Sequence, residues 1–421
     1  MSVPNRLCFV RAALLLLAVA GLSLVCAQDR ATAAELTQYF PAVPAGQQAP
    51  TPRCGWKIRW QVLERGTHNY GGSAVLEIQS VEFMKGYKAD GSEDWIKVLN
   101  NLAMAEMYVP YHDGSTEFFD ITGFSFPFVR ARQDFIPPSG TVRATLHEDD
   151  YVISEVVDDH VRWMDNNDNN KVRRGQVLNL WATFTAGNYR YVLLYRFGDD
   201  GLISVRAGGT AENFFNLQAG QEDHATHIHM PAWRMEFDLG NAEANRIEMI
   251  ERVIDTSTNR PTTLRRPFNA GREGGETWEP TKFSVLKITS SQTQNRHQPP
   301  RNVGYTLKPS RMGTLRNSSR PFTAFDFWVS RLNPDSEARA VQAPELRFID
   351  VPQNVSSPEP IAGKAVVIWY HSSLNHIPRT EDYGAVGYRS TEGVAITAWT
   401  GFDLLPVDLW HKTPLHERGG N

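Results

Sequence analysis

The sequence predicts an all-β protein, and three observations carry that expectation. Segments in which large apolar residues alternate with polar ones recur along the chain, the period of a strand with one buried face. Turn signals separate them, the clearest being Gly198-Asp199-Asp200-Gly201, where the Asp-Gly step supplies the positive φ that a tight turn wants. Only residues 242–254 carry a plausible helical pattern, so helices should be few and short.

A chain of 421 residues, 41% hydrophobic and 21% charged, can bury a large core as one big or two medium domains. The net charge of −4 and the lack of any Lys/Arg cluster interleaved with aromatics argue against nucleic acid as a partner. At the N-terminus Arg6 and Arg11 flank the start of an apolar run over 12–25, and Val25-Cys26-Ala27 suits cleavage before Gln28. Residues 1–27 therefore read as a signal peptide, with export to a periplasm or to the extracellular space. The run is shorter than the ~20 residues that cross a bilayer, so no membrane span is expected after cleavage. Cleavage would leave Cys54 as the only one of three cysteines, a spectator thiol with no internal disulfide.

Residues 28–54 are rich in Ala, Gln, Pro and Thr without periodicity, and they read as an exposed linker before one domain over 55–421. Strands are expected at 56–63, 74–83 and 95–99. The next apolar stretch ends at Pro110, which should stop the strand and leave Tyr111 at a sheet edge or mouth, on a loop with His112-Asp113-Gly114. Asp120 follows Phe118 and Phe119. Partial burial there would raise its pKa and make it a usable base, although on these residues alone a turn-capping aspartate is the better reading. The tract 165–170 looks like a calcium loop but has Asn170 where an EF-hand needs Gly and Gln176 where it needs Glu, so it reads as a solvated turn.

Strands are then expected at 177–184, 189–197 and 202–205. Between the first two, Thr185-Ala186-Gly187-Asn188-Tyr189-Arg190-Tyr191 reads, out of context, as a strand-turn-strand with packed tyrosines. After Met230, apolar residues alternate with Arg234, Glu236 and Asp238, the pattern of a strand. His227 and His229, two apart, then place both imidazoles on one face, near enough to chelate one ion. The plain alternative is two histidines on a polar sheet face, and a third ligand is needed to decide. Residues 255–320, rich in Arg, Thr, Asn and Pro, should run over the surface. Strand character returns at 324–331 and 364–370, and the latter leads into Asn375-His376-Ile377-Pro378-Arg379-Thr380-Glu381-Asp382.

Taken together in this order, the motifs resemble the catalytic domain of copper amine oxidases, enzymes that oxidise primary amines with a quinone made from one of their own tyrosines. Thr185 to Tyr191 resembles the cofactor motif, which implies Tyr189 as the topaquinone precursor, with Asn188 and Tyr191 also matching. His227, His229 and His376 match the copper ligands. Asp120 falls where the family keeps its catalytic base, and Tyr111 where it keeps a tyrosine that positions the cofactor. The resemblance implies a large antiparallel β-sandwich, a homodimer, and conversion of a small primary amine and O2 to aldehyde, ammonia and hydrogen peroxide. Imidazoles suit Cu(II), which gives the ligand set a chemical rationale of its own.

The chain departs from the family at three places. Arg190 stands where an acidic residue is usual. In the secondary calcium site Glu236 and Asp238 are matched, but the later aspartate is replaced by Lys364 or Ala365, which argues against calcium. The small N-terminal domains common in the family are not matched. Arg190 motivates an alternative from another class, a silent secreted copper-binding homologue acting as an interaction protein. A weaker alternative is an oxidase of peptide-bound amines such as lysine side chains. His224 and His371, near the ligand motifs, are expected in solvent or behind the ligands, and His411 and His416 at the surface.

Overall fold

Period-two alternation drives nearly every element. The computed structural model describes residues 32–42, 54–68, 71–112, 116–123, 128–129, 143–147, 151–164, 172–187, 189–211, 226–310, 313–333, 348–377, 379, 382 and 395–409. The expected leader, the tract 165–170, Asn188, His224, His411 and His416 lie outside the described residues. In chain order the strands begin with β1 (Thr32–Phe40), β2 (Cys54–His68), β3 (Gly71–Tyr87), β4 (Glu93–Pro110) and β5 (Glu117–Phe119). There follow β6 (Phe128–Val129), β7 (Arg143–His147), β8 (Val152–Met164), β9 (Val172–Ala186), β10 (Tyr189–Gly198) and β11 (Ile203–Ala211). Then come β12 (His227–Phe237), β13 (Asn245–Asp255), β14 (Arg260–Pro267), β15 (Gly274–Glu276), β16 (Val285–Gln294) and β17 (Asn302–Pro309). The last are β18 (Phe327–Arg331), β19 (Val366–His371), β20 (Leu374–His376) and β21 (Ala395–Val407).

These strands form two antiparallel sheets. The first runs β1-β2-β3-β4-β12-β19-β18-β15, with β20 paired to β12 and β5 to β4. The second runs β14-β13-β16-β17-β21-β11-β10-β9-β8-β7, with β6 paired to β9. Inward side chains of both sheets share one apolar core. Trp56 meets Phe197 at a centroid distance of 5.5 Å and Trp233 meets Phe402 at 5.8 Å, each pair spanning the two sheets. Polar tips on these side chains are paired across the same gap. Trp56 Nε1 donates to the Gly198 carbonyl at 2.8 Å and Tyr195 Oη to the Leu76 carbonyl at 3.0 Å, as buried indole and phenol groups require.

The antiparallel all-β expectation holds, and several boundaries change. The segment expected as a linker contains β1, which pairs with β2 from Thr32↔Val62 to Phe40↔Cys54, with Phe40 fully buried. Its composition hides the strand because only every second residue needs to be apolar. Residues 242–254 are not a helix: a three-residue 3-10 turn (Ala242–Ala244) is followed by β13. Ile247 and Met249 are buried while Arg246 is exposed, so period two outcompetes the helical reading. Residues 255–320, expected as surface excursions, supply β14 to β17, and Leu286, Ile288, Tyr305 and Leu307 are core residues. The segments at 95–99 and 101–111 belong to one long strand, β4, up to Pro110. Cys54 is buried, with Sγ 3.0 Å from the Asp199 carbonyl oxygen. Among the described residues the one α-helix is a single turn (Val351–Asn354), and no helix is long and apolar enough to cross a membrane.

Candidate metal centre and active site

The site lies between the sheets, where β12 of the first faces β10 of the second. His227 and His229 share one face of β12, as a spacing of two implies, and both are buried while Ile228 between them is half-buried. Strand β12 is paired with β4 on one side, and on the other with β19 over Ala232 to Met235 and with β20 over His227 to His229. Pro231, which has no N–H to give a ladder, falls at the interruption between β19 and β20. The re-entry of the chain as β20 places His376 directly opposite His227.

Three ring nitrogens converge as a result. His227 Nε2 is 2.9 Å from His229 Nε2 and 3.3 Å from His376 Nδ1, and all three ligand atoms lie within 4.8 Å of one another. With metal–nitrogen bonds of about 2.0–2.1 Å, as imidazole makes to zinc, neighbouring ligands around one ion stand at separations of this order. The remaining nitrogens of two rings are engaged elsewhere. His229 Nδ1 lies 2.8 Å from Tyr191 Oη, and His376 Nε2 lies 3.2 Å from Asp382 Oδ2. This is the arrangement in which an outer partner fixes the tautomer and turns the other nitrogen to a metal. Burial holds the His229 pKa well below its ordinary value and lowers that of His376, which favours in both rings the neutral form that binds metal.

Asp382, six residues after His376, ends the sequence motif that holds the third histidine and is buried. Arg379 donates to it through both its backbone N–H and its guanidinium, each at 2.8 Å, and holds the carboxylate toward His376. Asp382→Asn is expected to weaken metal binding by about 10- to 100-fold, the usual cost of losing such a partner. Metal titration of the purified protein checks this.

Tyr189 caps the trio. Its ring centroid lies 5.2, 4.8 and 6.3 Å from those of His227, His229 and His376, edge-on to each. The β9–β10 hairpin puts it there: Gly187 takes a φ of 56°, and Tyr189 then pairs with Ala186 and points into the core. Alternation sends Arg190 the other way. Its side chain is exposed and donates to Thr185 Oγ1 and, at 3.1 Å, to the Tyr189 carbonyl. The cation that distinguishes this chain therefore lies on the opposite face of β10 from the Tyr189 ring.

Tyr111 is not on an open loop. It forms a bridge with His227 and its ring stacks on that imidazole at 4.6 Å. Asp120 is 4% exposed, in the turn after β5. Its carboxyl hydrogen-bonds Tyr191, so Asp120, Tyr191 and His229 form a continuous buried chain. Burial holds the Asp120 pKa well above the ordinary carboxylate range, with the neighbouring Glu106 charge adding to the effect and Tyr191 opposing it. Tyr191 belongs to the cofactor motif, yet its contacts, like those of Glu106, depend on the meeting of separate segments that spacing does not reveal.

His371 is neither in solvent nor behind a ligand. It is fully buried, with ring contacts to Phe322 and Phe348 and Nε2 3.3 Å from the Met230 carbonyl. Burial pulls its pKa from 6.5 down to about 3. Below 6.5 the unfolded chain takes up a proton that the folded chain refuses, so the contribution of His371 to stability is lost as pH falls from that value toward 3. His371→Gln is expected to flatten the acid side of the stability curve by up to about 1.4 kcal/mol per pH unit, measured by urea unfolding of the metal-free protein. At the matched calcium positions, the Glu236 carboxylate is bound to the buried Arg234 guanidinium at 2.5 Å, and Asp238 accepts from the Gly240 N–H at 2.9 Å. Both carboxylates thus have partners within the protein.

Comparison with known proteins bears on this geometry. The family model described as copper amine oxidase, enzyme domain, matches residues 141–416, a span that includes Tyr189 and the three histidines and leaves out Tyr111 and Asp120. Histamine oxidase of Arthrobacter globiformis is 26% identical over 278 residues, which is 58% of this chain and 38% of that protein. Primary amine oxidase of Klebsiella aerogenes is 22% identical over 286 residues, 58% of this chain and 36% of that protein. The chain thus spans well under half the length of these relatives. Among solved structures, a copper-containing benzylamine oxidase from Hansenula polymorpha superposes with a TM-score of 0.60 at 15% identity, covering 86% of this chain and 61% of that one. An amine oxidase from Aspergillus nidulans gives 0.60 at 17% identity, covering 86% and 52%. At these identities the structural likeness speaks for the fold.

Proposed function

This chain belongs to the copper amine oxidase family, and on that premise we propose that it is an exported primary amine oxidase, with copper on His227, His229 and His376 and topaquinone formed from Tyr189. The observation that carries the reading is the convergence of three imidazole nitrogens within 4.8 Å, with the Tyr189 ring edge-on to all three. The donor set fits the metal, because imidazole nitrogen suits Cu(II) and the buried rings need not lose a proton to bind it. When bound, copper would promote oxidation of Tyr189 by O2 to a quinone able to accept two electrons from an amine, which with water leaves as aldehyde and ammonia, while a further O2 takes the two electrons and becomes hydrogen peroxide.

The remaining work falls to side chains of this chain. Asp120, as carboxylate, would take the proton from the carbon bearing the amine, and its raised pKa makes it a stronger base than an exposed aspartate. Tyr111 stacks on His227, whose ring Tyr189 also meets edge-on, and would limit how the modified ring turns. Aromatic and aliphatic walls around the histidines keep water out of the proton transfer. Export rests on the leader at 1–27, and the homodimer on the resemblance, in which larger members pair through this same domain. Arg190, the motive for a silent homologue, points away from the Tyr189 ring and so lends that reading no support.

The test is to load the purified protein with copper in air and supply small primary amines, following peroxide and ammonia. Turnover that a carbonyl-reactive hydrazine stops is the expected result. Copper binding without turnover of any amine, soluble or lysine-containing polymer, would overturn it.

A further inference from the structure

Glu106, on β4, has no part in the scheme above, yet it is one of the most thoroughly tied carboxylates in the protein. It is buried, and its Oε1 accepts from the Met107 N–H at 2.9 Å and the Ile121 N–H at 3.0 Å, while Oε2 accepts from Thr122 Oγ1. Two of these three donors belong to the residues immediately after Asp120. The Asp120 N–H itself donates to the Met107 carbonyl at 2.9 Å, and the Gly123 N–H to the Phe119 carbonyl at 2.8 Å. Strands β4 and β5 bring the two segments together through Tyr108↔Phe119. Asp120 is therefore carried on a turn whose backbone is tied down on both sides of it.

From this geometry we propose that Glu106 is the positioning residue for Asp120: its carboxylate clamps the 120–122 turn to β4 and keeps a second negative charge beside the base. The proposal rests on the reading of Asp120 as the proton acceptor. Burial raises the proton affinity of both carboxyls, and of Asp120 the further; at Glu106 the donors from Thr122, Met107 and Ile121 oppose the rise, so the first proton taken up falls to Asp120. The buried pair then divides its roles, with Glu106 holding charge and Asp120 holding the exchangeable proton. Among the described residues, the titratable groups acting on Asp120 are Glu106 from β4 and the Tyr191 phenol from β10. Of these, Glu106 raises its proton affinity and Tyr191 lowers it. A clamp of this kind matters because a misplacement of about 1 Å in a reacting group can cost on the order of 10²-fold in rate.

Two variants separate charge from clamp. In Glu106→Gln the amide oxygen can still accept from both backbone N–H groups and the amide nitrogen can donate to Thr122, so the turn is kept and the charge is lost. Glu106→Ala removes both. The decisive readout is the infrared band of the protonated Asp120 carboxyl in the copper-free protein, identified by its absence in Asp120→Asn and titrated against pH. The band midpoint is expected to fall by about one pH unit in Glu106→Gln. In the copper-loaded enzyme the acid limb of kcat/KM on the same amine should move the same way, so that activity persists to lower pH, with KM little changed. Glu106→Ala should lose on the order of 10²-fold in kcat with the hydrazine-reactive cofactor still present. A band midpoint unmoved by Glu106→Gln, or wild-type turnover in Glu106→Ala, overturns the proposal. Full turnover in Asp120→Asn, or absence of any hydrazine adduct in the wild type, would instead sink the reading of the site, and the band titration would still decide the part played by Glu106.

Discussion

Tyr189→Phe is expected to leave copper binding nearly intact while abolishing both the hydrazine-reactive group and all amine oxidation. The phenyl ring has the shape of the phenol ring, and the edge-on contacts at 4.8–6.3 Å with the three imidazoles depend on the ring rather than its oxygen. The inward-facing nitrogens that would hold copper come from His227, His229 and His376, whose outer partners are Tyr191 and Asp382. None of those atoms changes. What disappears is the phenol oxygen, without which the ring is not activated toward oxidation. An enzyme stripped of its electron acceptor loses at least about 10⁶-fold in rate, the low end of ordinary enzymatic acceleration. Copper titration, hydrazine labelling and peroxide release on one preparation check the three parts separately. Loss of copper together with activity would mean that Tyr189 supports the metal site instead of being its product.

Asp120→Asn should lower kcat by about 10²–10⁴-fold, the usual contribution of a general base, with the hydrazine adduct still forming and KM little altered. An asparagine side chain fits the same buried position and can keep a hydrogen bond to Tyr191, but it cannot take a proton. Because Asp120 holds its proton more tightly than an exposed aspartate, wild-type activity should also fall on the acid side at a pH above the ordinary carboxylate range. In the variant that limb is expected to vanish. A variant with wild-type kcat, or with the limb unchanged, would assign the proton transfer to another group.

The order in which these features became legible follows from their range along the chain. The sheets were readable because alternation is local: β9, β10 and β12 announce themselves within a dozen residues. The His227–His229 pair is local too, since a spacing of two fixes the face. The third ligand was found through a resemblance, because no spacing rule connects His376 to a strand about 150 residues earlier, and only the β12–β20 pairing brings it opposite His227. Strand β1 was missed because a partly polar strand looks like a linker until its partner is known, and β13 because Ile, Met and Val at mixed intervals satisfy a helical period nearly as well as a strand. The partnerships of Glu106, Tyr191 and Asp382 were out of reach for a different reason. Each depends on side-chain direction at a crossing of separate segments, and residue type alone does not specify that. His371 shows the converse error, in which nearness to His376 in sequence implied nearness in role. The pairing of β19 sends His371 instead among Phe322 and Phe348.

All of these expectations presuppose that the three imidazoles hold one copper ion against Tyr189 closely enough for the ring to be rebuilt in place. Intact mass and peptide mapping of copper-free protein, before and after copper is added in air, test that most directly. The account predicts one copper per chain and a mass increase corresponding to two added oxygens and two lost hydrogens, mapped to Tyr189 and absent when air is excluded. Copper bound at full stoichiometry with Tyr189 still an unmodified tyrosine would contradict it.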